Sequence, residues 1–135
     1  MPTFKRFEDI MAWQKARRVT SLIYNVTKNG DFAKDFGLRD QIRRTSVSIM
    51  ANIAEGFARR SDKDFAYFLN ISRSSTAEVQ SHLYVAVDQG YIEQREFDEI
   101  YEQLEEASKM IFALVKHLVF VNYGRSIFDR LDRLF

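Results

Sequence analysis

At 135 residues the chain is one domain by length and long enough to bury a real core. A composition of 46% hydrophobic and 29% charged residues excludes a disordered or membrane class, and the lack of cysteine excludes disulfides, thiolate catalysis and cysteine-ligated zinc. The net charge of +1 hides an asymmetry: residues 1–75 carry 14 Lys and Arg against 8 Asp and Glu, whereas 76–135 carry 6 against 11.

Such a split points to a polar partner surface, although a pI of about 8.0 falls short of a dedicated nucleic-acid binder. The opening MPTFKRFEDI has no apolar stretch and turns acidic by Glu8, so no secretory signal is expected. The longest apolar run, Met110 to Val121, is interrupted by Lys116 and His117 and is too short for a bilayer. The expected location is the cytoplasm, with no membrane contact.

The only proline is Pro2, and glycines at 30, 37, 56, 90 and 124 divide the chain into segments whose apolar residues recur at three and four. Helix one is predicted from about Glu8 to Asn29, with Ile10, Trp13, Ala16, Val19, Ile23 and Val26 inward and Gly30 as its left-handed stop. Helix two starts near Leu38, buries Leu38, Ile42, Thr45, Ile49 and Ile53, and stops at or shortly after Gly56. Ser61 caps helix three, whose first turn is acidic and whose inner side holds Phe65, Phe68, Leu69, Ser72, Val79, Leu83 and Ala86. Gly90 ends it, and the short turn sends helix four back antiparallel on Phe97, Tyr101, Leu104, Ile111, Leu114, Leu118 and Val121, with Gly124 as its stop. The predicted fold is all-α: an antiparallel up-down four-helix bundle over residues 1–124, with a short amphipathic C-terminal tail at 125–135.

Helix four is apolar almost all round between Met110 and Val121, with Phe112, Val119 and Phe120 off the inner stripe. Three sister helices cannot cover every side. The tail adds a further face of Ile127, Leu131 and Leu134. It can fold back over its own chain, but the abundance of Phe and Tyr favours a homo-oligomer, in which helix four and the tail lie against neighbouring subunits.

No catalytic constellation is visible. Neither His82 nor His117 follows a Glu by three, as a bundle dimetal site requires, so no metal or other cofactor is expected. Glu78 and His82, four apart, read as a hydrogen-bonding pair. Ser46, Ser48, Ser72, Ser74 and Ser75 lie within helices without a strained elbow, and there is no glycine-rich phosphate loop. Asn52 and Glu55 fall beside the inner stripe of helix two. A bound polar ligand would use them, but hydrogen bonding that sets helix register is the better reading.

Three arginine pairs remain: Arg17-Arg18, Arg43-Arg44 and Arg59-Arg60. Asp40 precedes Arg44 by four and Glu55 precedes Arg59 by four, so each is expected to be neutralised. Arg39, Arg43, Arg60 and Lys63 are then the freer charges, and Arg43 and Arg60 are about 25 Å apart at helical rise, enough to follow several phosphates. From charge alone, a solvated face, or one that pairs with the acidic Glu93–Glu106 face of an adjacent subunit, ranks above RNA.

FEDIMAWQKARRV, FGLRDQIRRTSVSIMANIAEGFARRS and DFAYFLNISRSSTAEVQSHL, with the Gly90-Tyr91-Ile92 turn, resemble the bacterial four-helix bundle proteins, also called 23S ribosomal RNA intervening-sequence proteins. The likeness runs to about Leu118 and is most specific at Asn52 to Gly56, with support from Trp13-Gln14-Lys15-Ala16. It implies a left-handed bundle that assembles into a ring, typically a pentamer, without enzymatic activity, and with RNA as the usual proposed ligand. A distantly similar bundle is the accessory protein of diversity-generating retroelements. Met50 stands where the family commonly has Pro, and Ser74 where Gly is usual, so a kink in helix two is not expected and packing on helix three is altered. The resulting expectation is a non-catalytic RNA-binding oligomer that contacts phosphates through Arg39, Arg43, Arg44, Arg59, Arg60 and Lys63. The contrasting expectation is a protein-interaction scaffold, such as an accessory subunit of a reverse transcriptase.

Overall fold

The computed structural model describes residues 4–132, with side chains through Phe120, and among these residues there is no strand. A 3-10 turn at Phe7–Asp9 leads into α1 (Met11–Val26), so the predicted first helix is two pieces. The break sits at Ile10, which is extended and buried. Ala12, Ala16, Val19 and Ile23 form the buried stripe of α1. Thr27 ends the helix, its backbone N–H and its hydroxyl both donating to the Ile23 carbonyl, at 3.1 and 2.7 Å.

Gly30 is left-handed as expected, with φ +68°, but a short α2 (Gly30–Lys34) follows where only a turn was predicted. Five residues carry too little periodicity to announce a helix. Its purpose lies in Phe32, which is fully buried at the end of the bundle and stacks on Tyr91 with ring centroids 5.3 Å apart. Asp35 then caps α3 (Phe36–Phe57): one carboxylate oxygen accepts the Leu38 N–H at 3.1 Å and the other accepts the Tyr91 hydroxyl at 2.9 Å.

α3 runs without a break through Met50 and buries Ile42, Thr45, Ser46, Ile49, Ile53 and Gly56. Gly56 lies one residue before the helix ends, and its task is close approach rather than termination. A Cβ there would stand 2.7 Å from Phe68 Cβ and 3.2 Å from the Phe65 carbonyl oxygen. Ser61 caps α4 (Asp62–Asp88) by accepting the Asp64 N–H at 3.1 Å. At its far end Gly90, with φ +74°, lets the Tyr91 N–H reach back to the Ala86 carbonyl at 2.9 Å, a hydrogen-bonded left-handed helix stop.

α5 (Gln94–Asp132) continues straight through Gly124, which was predicted to end it. A helical glycine costs only about 1 kcal/mol, and no proline or turn cluster follows to break the chain. The predicted apolar face of the tail lies outside the described side chains. Among the described residues, no helix is long and apolar enough to cross a membrane.

Cross-helix hydrogen bonds give the topology. Thr27–Arg43 and Thr20–Ser46 pair α1 with α3, Ser72–Ile49 and Ser48–Ser75 pair α3 with α4, and Arg73–Ser108 and Gln80–Glu105 pair α4 with α5. Numbers fall on one partner as they rise on the other, so the four long helices run up, down, up, down. Lys15 closes the circle from α1 to α5, donating to Gln103 at 2.8 Å and pairing with Glu106 at 2.6 Å. Ile, Leu, Val and Ala stripes from all four helices meet in one core, and burial of such side chains is what holds the bundle.

Candidate nucleic-acid interface

The first half of α3 sets three arginines on its flank, Arg39, Arg43 and Arg44, with Asp40 as the one carboxylate among them. Arg39 and Arg43, one turn apart, lean toward α1 and α2 and are half-buried. The Arg43 Nε donates to the Thr27 hydroxyl at 2.7 Å, and its guanidinium lies over Tyr24, 4.6 Å from the ring centroid. Arg39 donates to the Ala33 carbonyl at 3.0 Å and lies 4.7 Å from the centre of the Phe36 ring.

The charge pairing differs from expectation at one point. Asp40 accepts from Arg39 Nε at 2.9 Å and leaves Arg44 alone. The physical reason is the anchoring of Arg39 by Ala33 and Phe36, which holds its guanidinium beside the neighbouring carboxylate. Arg44 points to solvent, and among the described residues no carboxylate pairs with it. The freer cations are therefore Arg44, Arg60 and Lys63, whereas Arg39 and Arg43 are held in place.

Arg59, Arg60 and Lys63 form a second group, about 24 Å further along at helical rise. Glu55 pairs with Arg59 at 3.1 Å, as expected, and Arg59 lies 4.7 Å from the Phe68 ring centre. Residues 55–64 hold Glu55, Asp62 and Asp64 beside the three cations, so the net charge of this segment is zero. The six predicted residues do not make one continuous strip. Arg17, outside the predicted set, adds a cation on the neighbouring α1. It is exposed on α1, seven residues before Tyr24 and so on the same helical face, and it lies 5.8 Å from the Trp13 ring centre. Tyr24 and Arg17 were findable only by knowing which face of α1 meets α3.

Asn52 and Glu55 part company. Asn52 donates to both the carbonyl and the hydroxyl of Ser48, at 2.8 and 2.9 Å, and Ser48 meets Ser75 of α4 at 3.1 Å. Asn52 thus sets helix register through an intermediary. Glu55 is exposed rather than inward, and its role is the pair with Arg59.

An open groove of about 430 Å³ between α4 and α5 contains the Gln80–Glu105 bond at 2.8 Å and the Arg73–Ser108 bond at 3.3 Å. His82 Nε2 lies 3.9 Å from Glu78, too far for the hydrogen bond expected there, and its Nδ1 is buried without a partner. Burial holds the His82 imidazole below its ordinary pKa despite that carboxylate. Among the described residues, no three His, Asp or Glu side chains converge as metal ligands would.

The sequence model of one family, described as 23S rRNA-intervening sequence protein, matches residues 8–113, which span every site residue above. Among solved structures, a protein of unknown function of the S23 ribosomal protein family from Bacteroides thetaiotaomicron VPI-5482 is 27% identical. The likeness covers 78% of this chain and 98% of that one, with a TM-score of 0.72. Curated proteins give no match.

Proposed function

Since the chain belongs to the 23S rRNA-intervening sequence protein family, we propose that it is a non-catalytic, cytoplasmic RNA-binding bundle that engages phosphates with the α1/α3 face. The observation that carries this reading is the grouping of Arg39, Arg43 and Arg44 on the first half of α3, where Asp40 is the one carboxylate, with Arg17 exposed on the neighbouring α1. Arginines supply paired N–H donors suited to phosphate oxygens, and two of these are already immobilised by protein contacts. Phosphate contacts position a ligand without reading bases, so selectivity would come from RNA shape. Arg59, Arg60 and Lys63 contribute less, because three carboxylates balance them.

The test is anisotropy of a labelled ribosomal RNA hairpin titrated with protein across a salt series. The expected result is affinity that falls linearly with log salt, and a larger loss for Arg44→Glu than for Arg60→Glu. Both residues are exposed, so neither change threatens the fold. Absence of binding at low salt by protein that is helical by circular dichroism sinks the reading. Equal losses from the two variants move the site away from the α1/α3 face.

We further propose that the bundle assembles with copies of itself through the outer face of α4 and α5, as a closed ring of the pentameric kind that the resemblance implies. Tyr67 and Phe120 are 61% and 62% exposed there, Val119 lies beside Tyr67, and Phe112 is exposed further along α5. Isolated apolar residues on a surface are ordinary, but a group containing three aromatic rings fits an interface. The same face favours a second reading, docking onto a nucleic-acid enzyme as an accessory subunit. Sedimentation velocity separates the two: a monomer at micromolar concentration removes the ring and leaves the face to a different protein.

A further inference from the structure

The α1/α3 face holds two aromatic rings that the core does not use. Phe36, the first residue of α3, is 64% exposed, and Tyr24 is exposed at the edge of α1. Each carries a guanidinium over it, Arg39 on Phe36 at 4.7 Å and Arg43 on Tyr24 at 4.6 Å. Neither arginine is a loose side chain. Arg39 is fixed by the Ala33 carbonyl at 3.0 Å and by Asp40 at 2.9 Å, and Arg43 by the Thr27 hydroxyl at 2.7 Å. The result is a row of flat groups, Phe36, Arg39, Arg43 and Tyr24, in which the two arginines are one helical turn, or about 6 Å, apart. Arg44 follows at its edge, exposed and unmatched by any carboxylate among the described residues.

We propose that this row is a stacking platform for unpaired RNA, an inference that rests on the RNA-binding reading above and names the form of RNA the site takes. One base stacks on the open side of Phe36 and a second on the Arg43 guanidinium, which Tyr24 supports from behind. Arg44 and the uncommitted N–H groups of Arg43 take the phosphates between them. Aromatic faces and guanidinium planes are the surfaces on which splayed bases stack, and such stacking tolerates any base because each has a π-face. An A-form duplex keeps its base faces inside the helix and offers phosphates and 2′-hydroxyls, which would leave both rings idle. A protein partner could use arginine and aromatic groups too. The charge favours a polyanion instead, since Asp40 is taken by Arg39 and Asp35, beside Phe36, is turned to the Leu38 N–H and the Tyr91 hydroxyl, which leaves Arg43 and Arg44 without a paired carboxylate among the described residues.

The experiment compares two labelled RNAs at low salt by anisotropy, an unpaired oligouridine of about twelve nucleotides and a duplex of equal length. Phe36→Leu and Tyr24→Leu keep apolar bulk and remove the ring, and Arg44→Glu serves as the phosphate control. The expected result is tighter binding of the single strand by the unaltered protein. Each ring substitution then weakens that binding about tenfold and affects the duplex far less, whereas Arg44→Glu weakens both. Single-strand affinity that survives both ring substitutions overturns the platform while the RNA-binding reading stands. So does equal affinity for strand and duplex. Ring variants that alter the sedimentation coefficient and leave RNA binding intact assign the face to a second copy and overturn it as well. Failure of the unaltered protein to bind either RNA removes the functional reading, and the platform with it.

Discussion

Replacing Gly56 with alanine tests how closely α3 and α4 are packed. Carbon atoms rest comfortably at about 3.5–4.0 Å, but the new Cβ would stand 2.7 Å from Phe68 Cβ. It would also stand 3.2 Å from the Phe65 carbonyl oxygen and 3.1 Å from a Phe65 ring carbon. The ring can turn, but the carbonyl is α4 backbone and the Cβ is fixed to it, so both move only if the helices part by about 1 Å. Overpacking of a tight core costs about 1–3 kcal/mol, and two immovable neighbours place this site near the upper end. Alanine's better helix propensity offsets about 1 kcal/mol, leaving a net loss of about 2 kcal/mol. For a chain of this length that lowers Tm by roughly 8 °C, read as thermal loss of ellipticity at 222 nm. Gly37→Ala is the matched control. A Cβ there meets only an Asp35 carboxylate oxygen at 3.8 Å, an ordinary contact, so Tm should hold or rise. A Gly56→Ala protein as stable as the original would mean that helix propensity dominates and that the close crossing is not a constraint.

Ser72→Ala removes the buried hydroxyl that donates to the Ile49 carbonyl at 2.7 Å. The expected loss is about 0.5–1.5 kcal/mol, seen as a lower urea midpoint at unchanged m; an unmoved midpoint refutes it. His82 is held below the ordinary imidazole value of 6.5 by burial, so the unfolded chain takes its proton first. Stability is therefore full above about 6.5 and falls as pH drops from there toward the lower folded value; in His82→Gln, Tm should not decline over that window. Glu106 is held below the ordinary carboxylate range by its hydrogen bond to Lys15 and by that ammonium's charge. Its contribution is complete above the ordinary value of 4.5 and vanishes as pH falls through the depressed one, so Lys15→Met should flatten the acid limb of the Tm profile below pH 4.5. An acid limb identical to the parent's would show that the α1–α5 pair does no such work.

The helices were legible because their signals are repeated. The inner residues of α1, α3 and α4 recur every three or four positions, Ser61 precedes an acidic first turn, and Gly30 and Gly90 adopt the left-handed conformation that makes glycine informative. Single-residue signals fared worse. Gly124 resembles a stop by composition alone, but a helical glycine costs only about 1 kcal/mol and α5 runs through it to Asp132. Phe32 gave no warning, since a buried plug on five residues has no period to detect. At the site, i to i+4 spacing assigned Asp40 to Arg44, but the position of an arginine head depends on what else grips it. Ala33 and Phe36 decide that question from another element. Glu55 was drawn inward by its neighbours Asn52 and Gly56, although its own position on α3 faces water. The meeting of Arg43 with Tyr24 and Thr27 is a tertiary fact, set by how α1 lies on α3.

The carboxylate of Asp35 binds the first turn of α3 and the turn before α5 at once, through Leu38 and Tyr91. Phe36 is the very next residue, and Phe32 locks the same turn by stacking on Tyr91. The start of α3 is thereby pinned from two directions before any ligand arrives. The consequence is kinetic. A ligand meeting this end of the molecule encounters a finished surface, so association should follow a single exponential whose rate grows linearly with concentration and rises as ionic strength falls. Tyr91→Phe, which cuts the clasp and keeps the stack, would then add a slower, concentration-independent phase.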